Sequence, residues 1–168
     1  HHSVIGFDVS ADRVAALAAG EDVTGEVDAA LLSNSQLHFT TQAASLAAAT
    51  IYIVAVPTPI DSAKQPDLTP LRAASQTIAP YLNPGDLVVY ESTVYPGVTE
   101  QVCAPLLAQG SGLVCGDDFF IGYSPERMNP GDKQRGLAQI VKVVSANSAE
   151  QCERVAALYA PVVPAGIY

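Results

Sequence analysis

"DLVVYESTVYPGVTEQVCAPLLAQ", Asp86–Gln109, is the stretch from which the rest of the chain can be read. Its apolar run, Leu87–Tyr90, reads as a strand that runs into Glu91, Ser92 and Thr93. A Pro96-Gly97 bend follows, and a helix is expected from near Val98, over "GVTEQVCAPLLAQ". Proline fixes φ and glycine frees it, so this pair shapes a turn between the two elements.

The same alternation extends in both directions. Upstream, "SVIGFD" (3–8) is a short apolar run ending in an acid and reads as a buried strand. "SADRVAALAAG" (10–20) then reads as a helix, with Ser10 at the N-cap, Val14 and Leu17 apolar, and Gly20 as the stop. "LHFT" (37–40) and "TIYIVAV" (50–56) are further strands, separated by an Ala-rich helix over "TQAASLAAA" (41–49). Beyond the loop "PTPIDSAKQPD", "LTPLRAASQTIAPYL" (68–82) reads as a helix capped by Thr69, with Pro70 in its first turn. Downstream, "DFFIGYS" (118–124) and "IVKVVSA" (140–146) read as strands and "SAEQCERVAALYA" (148–160) as the last helix. Strands alternating with helices argue for a parallel sheet covered on both faces. Ligands bind such sheets at the carboxyl ends of the strands. Polar residues gather at those ends here: Asp8, Thr58, Glu91 to Thr93, and Tyr123 to Arg127.

Length and composition narrow the class. The 168 residues suit one domain, 49% of them are hydrophobic, and no segment has a disordered composition. Eight Lys and Arg against 17 Asp and Glu leave a net charge of −9, which argues against a nucleic-acid backbone as partner. A small phosphate-bearing ligand remains compatible, because backbone N–H groups at a helix start can hold it. The three cysteines, Cys103, Cys115 and Cys152, lack C-x-x-C spacing and read as buried free thiols of a reducing compartment, here the cytoplasm. No signal peptide, membrane span or metal site is expected, and no role is read into His1 and His2.

Several residues carry possible chemistry, each beside a structural alternative. Asp8, at the end of a first strand, suits the adenosine ribose hydroxyls of a dinucleotide, and equally suits a helix cap. Arg13 could reach the same ribose or its phosphate, or be a solvated helix arginine. In "VPTP" (56–59), two prolines hold Thr58 nearly fixed, which suits contact with a cofactor or an ordinary strand-ending turn. In "ESTVYPGVTE" (91–100), Thr93 offers a hydroxyl beside the free N–H groups of a helix start, while Ser92 or Thr99 could simply cap that helix. "GYSPERMNPGD" (122–132) is a shaped loop placing Glu126 and Arg127 near the same ligand edge. Glu126 could position a water or a ribose hydroxyl and Arg127 hold a phosphate or carboxylate; the alternative is a surface ion pair.

In order, "GFD", "VPTP", "ESTVYPG" and "GYSPERMNPGD" resemble the amino-terminal half of the nucleotide-sugar (UDP-glucose/GDP-mannose) 6-dehydrogenases over essentially the whole chain. The likeness is strongest to the bacterial branch acting on UDP-N-acetylhexosamines for capsule or surface polysaccharide, through "SPERMNPGD" followed by "IVKVVS". The resemblance implies an α/β, Rossmann-type doubly wound and mostly parallel sheet that binds NAD. It implies oxidation of C6 of a UDP-sugar to the uronic acid with two NAD⁺, through an aldehyde and a cysteine thiohemiacetal. By position, Asp8 and Arg13 would contact the adenosine ribose, and Thr58 and Thr93 would line the NAD site. Glu126 would be catalytic and touch the cofactor, Arg127 and Met128 would contact the UDP-sugar, and Tyr123 and Ser124 would shape the loop.

The sequence departs from the family pattern at two points. It contains no G-x-G-x-x-G cluster, and it opens at what the resemblance makes the second strand, so an NAD-binding domain (1–168) lacking its first strand and Gly-rich turn is expected. None of its cysteines matches the family's nucleophile. That residue belongs to a carboxyl-terminal UDP-sugar domain which, with the central helix that makes the homo-oligomer, the chain is expected to lack. The chain alone is therefore expected to be inactive. A β-hydroxyacid-type dehydrogenase with the same cofactor domain, and a non-catalytic nucleotide-binding or assembly module, are the rival readings.

Overall fold

The computed structural model describes residues 3–25, 27, 29–32, 36–126 and 139–168. The chain divides into two compact units, residues 1–49 and 50–168. In the first unit, β1 (Val4–Phe7) pairs in parallel with β2 (Leu37–Thr40), Val4 opposite Leu37. Between them lie α1 (Ala11–Ala18) and a short helical turn, α2 (Ala29–Leu32), that the sequence reading does not assign. Ser10 caps α1 as expected, its side chain accepting from the Arg13 N–H. Val14 and Leu17 are half-buried. The Ala-rich helix expected over 41–49 is instead a short 3₁₀ helix, Ala43–Ala48, with no side-chain cap. Ten residues separate β2 from the next strand, and 3₁₀ helix is frequent in such connectors.

The second unit is built on a sheet in the order β3-β4-β5-β6: β3 (Ile51–Val54), β4 (Leu87–Tyr90), β5 (Phe120–Tyr123) and β6 (Ser145–Ala146). The β3–β4 and β4–β5 pairs are parallel, whereas β5–β6 is antiparallel. All four β4 residues are buried, as expected of a strand covered on both faces. Leu87 and Val89 join Val144, Val155, Tyr159 and Val163 in one core, against α5 (Ala149–Tyr159). Tyr90 faces the other way, its hydroxyl 2.8 Å from the buried Ser75 Oγ of α3 (Thr69–Ile78). This is the period-two alternation of a pleated strand turned into two helix-packing faces. Gly122 permits the close approach of α5, since a Cβ there would lie 2.9 Å from Val155 Cγ2 and 3.2 Å from the Ser145 carbonyl oxygen.

Local structure corrects five expectations. Thr69 does not cap α3: Leu68 holds the N-cap position with no side-chain bond, and Asp67 Oδ1 accepts the Thr69 N–H at 2.8 Å. That helix stops at Ile78, and Ala79–Tyr81 follows as a 3₁₀ turn containing Pro80. The helix after Gly97 (φ +94°) begins with a π turn, Thr99–Cys103, before α4 (Ala104–Ser111). Pro105 has no N–H to give the carbonyl four residues earlier, and a wider turn ahead of it accommodates that loss. "IVKVVSA" contributes only Ser145–Ala146 to the sheet, while Lys142 forms an isolated parallel bridge with Ile167. All three cysteines are free, but Cys115 and Cys152 are half-buried where burial was expected; Cys103 is buried. Among the described residues no helix is long and apolar enough to cross a membrane.

Candidate functional site

The carboxyl ends of β3, β4 and β5 are tied together beyond the strands. The Glu91 N–H donates to the Val54 carbonyl at 2.9 Å, the Ser124 N–H to Tyr90 at 2.9 Å, and the Glu126 N–H to Glu91 at 3.1 Å. Ser92 Oγ donates to the Val56 carbonyl at 2.6 Å, so its hydroxyl locks two strand ends and does not cap the following helix. Thr99 lies inside the π turn and is no cap either. Ser124, fully buried, donates to the Val143 carbonyl at 2.9 Å.

These strand ends enclose a cleft of about 350 Å³ lined by Ala55 to Thr58, Glu91 to Thr93, and Glu126. Three of the residues singled out from the sequence, Thr58, Thr93 and Glu126, thus meet at one site. Thr58 Oγ1 is buried and has no hydrogen-bond partner among the described residues. An unpartnered hydroxyl costs desolvation energy, about 1–3 kcal/mol, unless a ligand satisfies it.

Behind the cleft is a charged cluster that motif reading misses. Lys142, only 3% exposed, places Nζ 3.0 Å from Glu91 Oε1 and 3.8 Å from Glu126 Oε2. Its ammonium also lies 3.5 Å from the Ser124 carbonyl oxygen and 4.7 Å from the centre of the Tyr159 ring. Tyr159 donates its hydroxyl to Glu91 Oε1 at 2.7 Å. Burial, reinforced by that carboxylate, pushes the Tyr159 phenol up, so it stays a proton donor. The available signal was a lone lysine in the apolar run "IVKVVSA". A buried ammonium needs partners, and a run read only as a strand does not reveal them.

Asp8 and Arg13 belong to the first unit. Asp8 Oδ1 accepts the Ser10 N–H at 2.8 Å and Oδ2 lies 3.5 Å from Arg13 Nε, so the two residues pair with each other. Arg127 and Met128 lie outside the described residues. Among the described residues, no group of three or more His, Cys, Asp or Glu could hold a metal ion.

Comparison with known proteins gives the cleft a family. Over 167 residues the chain is 50% identical to protein CapL of Staphylococcus aureus, covering 99% of this chain and 39% of that protein. It is 51% identical to a UDP-N-acetyl-D-glucosamine 6-dehydrogenase of Pseudomonas aeruginosa, covering 99% of this chain and 40% of that one. The chain therefore spans about two fifths of the length of these curated relatives. Its fold is similar to the structure of a UDP-D-ManNAc dehydrogenase from Pyrococcus horikoshii, with a TM-score of 0.89 at 30% identity over 99% of this chain and 41% of that one. Residues 1–163 match the UDP-glucose/GDP-mannose dehydrogenase family, NAD binding domain, and the chain belongs to that family.

Proposed function

We propose that this chain is the cofactor-binding part of an NAD-dependent enzyme that oxidises C6 of a UDP-N-acetylhexosamine to the uronic acid, a precursor of surface polysaccharide. The observation that carries the reading is the cleft at the ends of β3, β4 and β5, where the unpartnered Thr58 hydroxyl, Thr93 and Glu126 meet. The similarity to the UDP-N-acetyl-D-glucosamine 6-dehydrogenase of P. aeruginosa supports the choice of substrate. The cleft fits NAD in that Thr58 has an unused hydroxyl to offer there. Thr58 and Thr93 would hold the cofactor there. Bound NAD supplies the hydride acceptor.

The chain's own side chains bind, orient and move protons. Glu126 offers a carboxylate at the cleft wall, in reach of a substrate hydroxyl or a water that it could orient or deprotonate. Arg127 would meet an anionic part of the nucleotide sugar, with the Met128 backbone beside it. The enzyme acts in the cytoplasm as a homo-oligomer. The test uses the protein as its gene encodes it, mixed with NAD and UDP-N-acetylglucosamine or UDP-N-acetylmannosamine. NADH absorbance should rise, and mass spectrometry should find the uronic acid. NADH formed from β-hydroxy acids but not from either UDP-sugar would overturn the reading. Glu126→Gln should slow turnover by about 10²- to 10⁴-fold, the usual worth of a general acid or base.

A further inference from the structure

Lys142 is the lone buried basic side chain among the described residues, and the resemblance carried by the "IVKVVS" run that contains it assigns it no role. We propose that Lys142 is a positioning residue for Glu126, a fixed buried cation that holds the Glu126 carboxylate at the cleft wall. The inference rests on the reading of Glu126 given above and extends it to a residue on a different segment.

Three observations carry it. The lysine is immobilised at its backbone, whose N–H donates to the Gly166 carbonyl at 3.1 Å while its own carbonyl accepts from the Tyr168 N–H at 2.9 Å. Its ammonium is held by groups from separate elements: Glu91 after β4 at 3.0 Å and the Tyr159 ring of α5 at 4.7 Å. Glu91 is itself held by the Tyr159 hydroxyl and is 18% exposed, so the Glu91–Lys142 pair forms a buried base. Glu126 stands at the open side of that base, 37% exposed, with Oε2 3.8 Å from the ammonium. Balancing the buried charge requires one carboxylate, and Glu91 provides it at the shorter distance. The second carboxylate is the one that faces the cleft, so the direction of influence runs from the fixed cation to Glu126. A proton-accepting group must be held within hydrogen-bond reach of its target, which a cation at its back does for a side chain with several free torsions.

The test is a kinetic cycle on the protein as its gene encodes it: Lys142→Met, Glu126→Gln and both together, with NADH formation from a UDP-N-acetylhexosamine as readout. Lys142→Met should lower kcat on the order of 10- to 100-fold, with KM for NAD little changed, because misplacing a reacting group by about 1 Å has effects of that size. In the Glu126→Gln background the same change should cost less than about 3-fold, since residues that act as a unit are non-additive. Equal factors in both backgrounds, or wild-type turnover in Lys142→Met, would overturn the inference alone. Wild-type turnover in Glu126→Gln would overturn the reading of Glu126 and this inference with it. Should Lys142→Met not fold, the charge-balanced pair Lys142→Met/Glu91→Gln, set against Glu91→Gln, replaces it with the same outcomes. A crystal structure of the Lys142 variant gives a readout independent of activity. The Glu126 carboxylate should have left its place near Glu91, and finding it unmoved counts against the proposal.

Discussion

Replacing Thr58 by Val exchanges a hydroxyl for a methyl on a side chain of the same shape, at a position where the hydroxyl has no partner. Thr58 Oγ1 is buried at the cleft wall, and the described residues offer it neither donor nor acceptor. Leaving such a group unsatisfied costs about 1–3 kcal/mol, so its removal should stabilise the cofactor-free protein by about 1 kcal/mol. For a chain of this length that is a rise in Tm of roughly 2–4 °C. With NAD the sign should reverse. If the hydroxyl is kept for the cofactor, its loss removes one neutral hydrogen bond, about 0.5–1.5 kcal/mol, and weakens NAD about 2- to 13-fold. Thermal unfolding followed by circular dichroism reads the first effect, and isothermal titration calorimetry with NAD reads the second. A variant that melts lower and binds NAD as tightly as before would refute the reasoning, because the hydroxyl would then serve the fold and not a ligand.

Gly122→Ala should destabilise the second unit by about 1–3 kcal/mol in urea unfolding, since the new Cβ would press on Val155 Cγ2, in the packed core, and on the Ser145 carbonyl of the neighbouring strand; an unchanged urea midpoint would mean that α5 can withdraw freely. Alkaline pH should weaken the fold. Burial, helped by Asp86, pushes the Tyr52 phenol up to about 12, and burial moves Tyr90 and Tyr159 in the same direction. A raised value means the folded state keeps protons that the unfolded chain releases from about pH 10, so this contribution is complete below pH 10 and lost as pH climbs through about 12. Urea midpoints should therefore fall between about pH 10 and pH 12, and a flat profile would show that these phenols titrate alike in both states.

Much of the site was legible because its members follow apolar runs. Thr58, Thr93 and Glu126 each stand just past a strand, and parallel strands bring such positions to one edge. Ser10 was legible as a cap for an equally local reason, since its partner is the N–H three residues on. Thr69 failed as a cap because it already lies inside the helix: Leu68 holds the N-cap position, and the Asp67 carboxylate, two residues earlier, accepts the Thr69 N–H. The π turn before Pro105 and the 3₁₀ helix at Ala43–Ala48 were missed for a related reason. Composition favours helix in both, but a missing donor in one and a connector between strands in the other change its pitch.

What the sequence by itself determined was the alternation of strand and helix and the residues delivered to each strand end, because apolar periodicity, caps and proline or glycine act over a few neighbours. Only the tertiary structure decided which of those residues would find partners. Lys142 reads as one charge in an apolar run, and its burial becomes tolerable only where Glu91, Tyr159 and Glu126 converge from other elements. Thr58 reads as a turn residue, and its hydroxyl becomes an unused donor only once the surrounding backbone has closed over it. Burying charge and polarity depends on everything packed around a group, and that is settled by contacts between residues far apart in the chain.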